Sequence, residues 1–230
     1  DTRRKYLDSG ISQFSTIYLK NLISYNKTIK QRNTLLKHFY DTNTFDEFTL
    51  DTYNQMIISY GEVIYLERKK YLSKLIPVFQ KYYKEISGGK EKVSIEYQSQ
   101  LDEGDYLSQL DNSVHKDKAS CRTSVGIHKD DILFTLENRS IKKHGSQGQQ
   151  KSFLISLKLS QYEFMKKELN LSPLLLLDDI FDKLDDNRVE SLISFVKKGK
   201  FNQVFITDTS KERSENILQK TQSDYTIFNI

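Results

Sequence analysis

One stretch constrains this chain more than any other. Residues 145–188 read GSQGQQKSFLISLKLSQYEFMKKELNLSPLLLLDDIFDKLDDNR. The four leucines at 174–177 suit a strand buried on both faces of a parallel sheet. Ligand sites in such sheets lie beyond the carboxyl ends of the strands. Asp178 and Asp179 follow the leucines directly, so two carboxylates fall where a site is expected. The first can hold a magnesium ion, directly or through water, and the second can act as base or orient an attacking water. The bland alternative is a polar strand end that caps a loop. Asp182, Asp185 and Asp186 add negative charge beyond it. Asp185 or Asp186 can simply cap the next helix. Alternatively, Asp178, Asp179 and Asp182 can hold two metals, as a phosphodiester-cleaving nuclease does.

Upstream, Ser146-Gln147-Gly148-Gln149 fits the S-x-x-Q capping box, with Ser146 on the backbone N–H of Gln149 and Gln149 reaching back. The same physics has a sharper use. Free N–H groups at a helix start, a hydroxyl and a glycine that permits close approach make an anion site. Downstream, Thr207-Asp208-Thr209 ends the next strand, beside the leucine strand if the sheet is parallel. A polar side chain there can sense a phosphate, or merely cap a helix beginning at Lys211.

The surrounding pattern places these motifs. Helical spacing runs over 11–37 through Ile17, Leu22, Tyr25, Ile29, Leu35 and Leu36. A loop is expected over 41–51. A second helix follows over 51–86, through Met56, Tyr60, Val63, Leu72, Leu75, Phe79 and Tyr83. Pro77 should kink or divide it. Two long helices joined by one loop suggest an antiparallel arm, either a partner-binding device or a plain helical subdomain. After Gly89 the period changes. Strands are expected over 93–99, 132–136, 174–177, 203–207 and 225–228, and helices over 101–110, 147–169, 186–197 and 211–219. A turn is expected at 137–139. The alternation in the second half implies a parallel sheet covered by helices. The scarcity of Gly (9) and Pro (2) also favours long helices over a turn-rich all-β fold.

Several classes are excluded or weakened. Cys121 is the single cysteine, which rules out an intramolecular disulfide and fits a reducing compartment. No apolar run approaches a membrane span. His128 stands beside Asp130 and Asp131, but His115 and His144 lie in other segments, so a histidine metal site is disfavoured. The chain has no G-x-x-x-x-G-K-[ST]: its Gly-Lys pairs, 89–90 and 199–200, lack the earlier glycine and the following Ser or Thr. The net charge of +4 is compatible with nucleic acid without establishing it. Basic clusters at 3–5, 30–32, 68–70, 142–143 and 197–200 are candidates for phosphate contacts, or ordinary solvated helix faces.

Taken together, residues 145–161, 174–188 and 204–209 resemble the RecF family of bacterial recombination-repair ATPases. RRKYLD (3–8), YNKTIKQRNTLLK (25–37), EISGGKEKVSIEYQS (85–99) and RTSVGIHKDDILF (122–134) are similar to RecF segments in the same order. The resemblance implies an α/β fold: part of an ABC-type P-loop ATPase head with a parallel-sheet core, plus an inserted all-α arm. Residues 1–9 would be a tail from the rest of the head, 10–90 the arm and 91–230 the C-terminal part of the head, the P-loop preceding Asp1. Ser146, Gln147, Gly148, Gln149, Gln150 and Lys151 would be the signature motif, meeting ATP held by a second protomer. Asp178 would be the Walker B carboxylate near Mg2+, and Asp179 the catalytic acid. Leu184 and Asp185 would lie in the D-loop. Thr207 and Asp208 would occupy the switch, where many relatives carry a His that this sequence lacks. The family implies an ATP-dependent homodimer in the cytoplasm that binds double-stranded DNA and single/double-strand junctions. It works with RecR and RecO. The chain alone is expected neither to bind ATP tightly nor to hydrolyse it. A nuclease, or a non-catalytic DNA-binding adaptor, are the alternatives.

Overall fold

The computed structural model describes residues 2–178, 180, 183–197, 199–209, 215–216, 218–219 and 225–228. Two compact units divide the chain: residues 1–73 with 96–133, and residues 74–95 with 134–230. Among the described residues, no helix is long and apolar enough to cross a membrane.

The first unit is mainly helical. The helix expected over 11–37 is two helices, α1 (Thr2–Ser12) and α2 (Thr16–Thr42). Ser15 resets the chain between them, its hydroxyl accepting the Tyr18 N–H at 3.1 Å. The restart sets a new phase, so Tyr18, Tyr25, Leu36 and Phe39 are buried while Ile17 is 68% exposed. The loop expected over 41–51 shrinks to 43–46. Asn43 closes α2 in the left-handed conformation, and Asp46 accepts the Thr49 N–H at 3.1 Å to open α3 (Glu47–Ile86).

Helix α3 is continuous through Pro77. The ring removes one backbone bond. Leu72, Leu75, Phe79 and Tyr83, on either side of it, are all buried. Earlier in α3, Met56 lies exposed. The buried line there passes through Asn54, Ile57, Gly61, Ile64 and Arg68. An apolar count misses such a line because three of its members are not apolar. Gly61 is required by close approach: a Cβ there would sit 2.9 Å from the Tyr106 ring. Tyr18 meets Arg68 while Arg32 meets Asn54, so α2 and α3 run antiparallel. The helix expected over 101–110 begins later, as α4 (Tyr106–Ser120), after a single 3-10 turn at Gln100–Asp102. Asp105 caps it, accepting the Ser108 N–H at 2.8 Å.

Two guanidinium groups organise this unit. Arg68 reaches Asp8 at 2.8 Å, Asp130 at 2.9 Å, the Ile127 carbonyl at 2.9 Å and the Tyr18 hydroxyl at 3.1 Å. Arg32 reaches Asp117 at 2.7 Å, Asn54 at 2.9 Å and Thr123 at 3.0 Å. Both side chains are buried. These two members of the basic clusters are therefore structural and not available to DNA phosphates.

The chain also forms two sheets. Strands β1 (Val93–Gln98), β2 (Asp131–Leu136) and β3 (Arg139–Ser140) make the first, in that order. Strands β2 and β3 form an antiparallel hairpin, and Glu137 and Asn138 turn it with positive φ of 48° and 62°. That is the two-residue turn whose twist matches the strands. Helix α5 (Ile141–His144) leads to α6 (Gln147–Leu169). The second sheet pairs β4 (Leu175–Leu177) with β5 (Val204–Ile206) in parallel, with α7 (Asp186–Lys197) between them in sequence. Leu175 and Leu177 join Ile155, Leu159, Leu192 and Phe195 in the core of the second unit. Burial of β4 on both faces, expected from its leucines, is not met: Leu174 is 58% and Leu176 70% exposed. The described residues cover only one face of the β4–β5 pair. The strand expected over 225–228 does not form: these residues have no regular secondary structure and join neither sheet. The helix expected over 211–219 falls largely outside the described residues. Residues 215, 216, 218 and 219 are helical.

Removing the cation from a buried ion pair strands its carboxylates. Arg68→Ala is expected to cost about 3–5 kcal/mol in urea unfolding. Lys69→Ala, which removes an exposed pair with Asp102, should cost no more than about 1 kcal/mol. A second prediction concerns acid. The neutral ring of His128 is satisfied on both sides: its Nε2–H donates to the Thr123 carbonyl at 3.0 Å, and its Nδ1 accepts from the Tyr25 hydroxyl at 2.8 Å. Burial lowers its pKa to about 4 from an ordinary value of 6.5. The unfolded chain therefore takes up this proton first as pH falls. Its contribution to stability is complete above the ordinary value and is lost between there and about 4. The loss is on the order of 3 kcal/mol. Urea midpoints measured across that window should fall more steeply for the parent than for His128→Gln.

Candidate functional site

The start of α6 is built as its sequence implies. Ser146 Oγ accepts the Gln149 N–H at 3.2 Å, and the Ser146 N–H donates to Gln149 Oε1 at 2.8 Å. The reciprocal box is complete. It leaves the N–H groups of Gln147 and Gly148 without an intrahelical acceptor, as at any helix start. Ser146, Gln147 and Gln150 are exposed, and Gly148, Gln149 and Lys151 half-buried. Gln150 folds back to the Gly145 carbonyl at 2.8 Å. Gly148 has an internal reason to be glycine. A Cβ there would stand 3.0 Å from the Lys183 carbonyl, so the first turn of α6 lies against the loop that precedes α7.

That loop carries the next group. Leu184 is buried in the core of the second unit and anchors it. Asp185 is the cap of α7, one of the two uses expected for it: its Oδ1 accepts the Arg188 N–H at 2.9 Å. Its Oδ2 also accepts Arg188 Nε at 3.1 Å.

Arg188 and Glu91 are functional candidates that motif reading passed over. Arg188 donates to Ser152 Oγ of α6 at 2.9 Å and to Glu91 Oε1 at 2.7 Å. Glu91 also accepts Gln149 Nε2 at 3.1 Å and the Tyr83 hydroxyl at 2.5 Å. Burial opposes its charge, but hydrogen bonds from Tyr83, Gln149 and Arg188 outweigh burial and hold the carboxyl below its ordinary value. One network thus ties the end of α3, the start of α6 and the start of α7. The only hint in the sequence is an arginine three positions after Asp185, the spacing of an i,i+3 pair.

At the carboxyl ends of the parallel pair, Leu177 is in register with Ile206. Asp178 and Thr207, the next residue on each strand, come together: the Thr207 hydroxyl donates to Asp178. The Thr207 N–H donates to the Leu177 carbonyl at 3.0 Å. Asp208 accepts the Thr209 N–H at 2.8 Å in a local turn. Asp178 is exposed. Asp179 and Asp182 lie outside the described residues. Among the described residues, no group of three His, Cys, Asp or Glu side chains is arranged to hold a metal.

No family model matches the chain. It aligns over all 230 of its residues, at 49% identity, with the DNA replication and repair protein RecF of Flavobacterium johnsoniae, covering 64% of that protein. With the protein of the same name from Phocaeicola vulgatus it is 43% identical, over 99% of this chain and 61% of the relative. It also matches the solved structure of the recombination mediator protein RecF with ATP, in the RecFOR pathway. That match has a TM-score of 0.79 and 31% identity, over 92% of this chain and 58% of the other. The chain spans about three fifths of the length of the curated relatives it matches. It shares its α/β architecture, with a parallel pair and a large helical region, with that solved RecF structure. On similarity carried along its whole length, the chain belongs to the RecF family.

Proposed function

We propose that this chain contributes two incomplete nucleotide sites to an ABC-type ATPase that acts on DNA in replication and repair. The observation that carries this reading is the capped start of α6, with its exposed Ser146 and the unpartnered N–H groups of its first turn, tied through Arg188 to the Asp185 loop. The ATP bound by a RecF of similar structure supports it. In this reading Ser146, Gln147, Gly148, Gln149, Gln150 and Lys151 meet the terminal phosphate of ATP held by a second protomer. Leu184 and Asp185 form the loop that crosses the dimer interface.

The end of β4 serves the chain's own nucleotide. Asp178 and the Thr207 hydroxyl offer oxygen donors only, which suits Mg2+. Mg2+, when bound, offsets negative charge on the phosphates. Asp179 orients and deprotonates the attacking water. Thr207 and Asp208 report on the terminal phosphate without the histidine that many relatives use. The division into an arm over 10–90 and a head part over 91–230 belongs to this reading. So do double-stranded DNA and single/double-strand junctions as ligands, and RecR, with RecO, as partners. Of the basic clusters, Lys142 and Lys143 are exposed beside the start of α6 and suit a backbone phosphate. The chain by itself is inactive, because each of its sites is completed by residues outside it.

Arg188 is a positioning residue here. Its guanidinium fixes the Asp185 loop against Ser152 and Glu91, so the loop and the signature turn keep one geometry.

In the full-length protein, Ser146→Arg should abolish ATP-induced dimerisation, read by light scattering, while ATP affinity of the monomer stays unchanged. Asp179→Asn should dimerise with ATP but turn over slowly. Dimerisation of the first variant, or normal turnover by the second, would overturn the two-half-site reading. Arg188→Met should cut the turnover number at least about tenfold by misplacing the loop. Its monomer should keep the parent's ATP affinity, which a merely unfolded variant would lose.

A further inference from the structure

The other end of α6 carries a concavity that uses none of the residues assigned to the two nucleotide half-sites; of the basic clusters, it takes in Lys200. It lies about 25 Å along the helix from Ser146, by helix rise. Its volume is about 440 Å³, within the range of small-ligand sites. Tyr82, Tyr162 and Phe201 make its floor. The floor is rigid. Tyr162 and Phe201 pack edge-to-face at 5.0 Å, and Tyr82 packs on Phe195 in the same way at 5.1 Å. Each floor residue is at most 7% exposed.

Four lysines line the same concavity: Lys81, Lys166, Lys167 and Lys200. None forms a salt bridge among the described residues. Lys166 Nζ reaches the Lys200 carbonyl at 3.3 Å, and Lys200 Nζ lies 5.2 Å from the Tyr82 ring and 5.0 Å from the Phe195 ring. The single acid in the lining is Glu163, which already accepts the Tyr82 hydroxyl at 2.7 Å. The Tyr162 hydroxyl is buried and has no hydrogen-bond partner among the described residues, an uncommon condition for a buried polar atom.

Like charges gathered in one concavity repel each other and concentrate counter-ions. Three features narrow the ligand. The rings are too deeply buried to offer a face for stacking a base. The positive excess suits a multiply charged anion better than a lone carboxylate. Lysines bind phosphate as point charges without needing the planar fork of arginine. We propose that this cleft of the second unit binds a phosphate-bearing ligand through Lys81, Lys166, Lys167 and Lys200. The phosphate can come from a free phosphorylated molecule or from the backbone of a nucleic-acid strand. The proposal does not use the ATPase reading and stands apart from it.

Amine acylation of the full-length protein, mapped by mass spectrometry, tests it. The probes are pyrophosphate, AMP, a single-stranded oligonucleotide and, as a non-phosphate polyanion, polyglutamate. Pyrophosphate is expected to shield Lys81, Lys166, Lys167 and Lys200 several-fold while Lys142 and Lys143 react as before. Shielding by AMP as well marks a free phosphorylated molecule as the source. Shielding by the oligonucleotide but not AMP marks a strand, and both results support the site. Lys166→Gln with Lys200→Gln should weaken pyrophosphate binding at the remaining two lysines about tenfold or more, as expected for lost charge-assisted hydrogen bonds. Glu163→Gln should tighten it. The proposal is overturned if the four lysines react equally with and without every phosphate probe. Equal shielding by polyglutamate at matched charge would also overturn it.

Discussion

Glu91 accepts hydrogen bonds from Tyr83, Gln149 and Arg188, and so three helices of the second unit share one carboxylate. Its ion pair with Arg188 is only 12–17% exposed at either side chain. A charge held in that setting is tolerable only while its partners stay in place, since losing one leaves the other poorly solvated. Specificity is the main effect. Many packings of α3, α6 and α7 would bury similar apolar area, but few would satisfy the guanidinium, the carboxylate and the Gln149 amide together. The position of the α6 start relative to the Asp185 loop follows from that requirement, and Gly148 lets the two approach.

The first unit obeys the same logic with different groups. Arg32 and Arg68 thread through its interior; Arg32 is met by one carboxylate and two neutral oxygens, and Arg68 by two carboxylates and neutral oxygens, all from several segments. Tyr97 also donates its hydroxyl to Asp130. His128, neutral and hydrogen-bonded at both ring nitrogens, completes a polar interior. Such an interior gives the helical region one register in place of a sliding apolar seam.

What could be read from the sequence had a local physical cause. The capping box needs residues three apart. The leucine strand and its acidic end need only neighbours. The long helices show in their period. Distant partners explain the failures. Arg68 finds Asp8 and Asp130 at separations of 60 and 62 residues, and Arg32 finds Asp117 at 85. Without those partners both arginines look like solvated charges. Arg188 and Glu91 are 97 residues apart, so neither stood out beside the motifs. Ile17 was misplaced because Ser15 restarted the helix and shifted its phase. Leu176 was misplaced because burial of a strand's second face depends on what lies against it, which a run of leucines does not encode.

The capping box at Ser146 has a consequence in proton terms. A hydroxyl has one hydrogen to give and two lone pairs to receive. The cap consumes a lone pair, with Gln149 as the giver, and leaves the hydroxyl hydrogen uncommitted at the mouth of the helix. An arriving anion can therefore take that hydrogen without unfastening the helix. Holding the fold and meeting a ligand draw on opposite sides of the same oxygen. Alanine at 146 would forfeit both functions at once, while threonine would keep the chemistry and change only the shape around it.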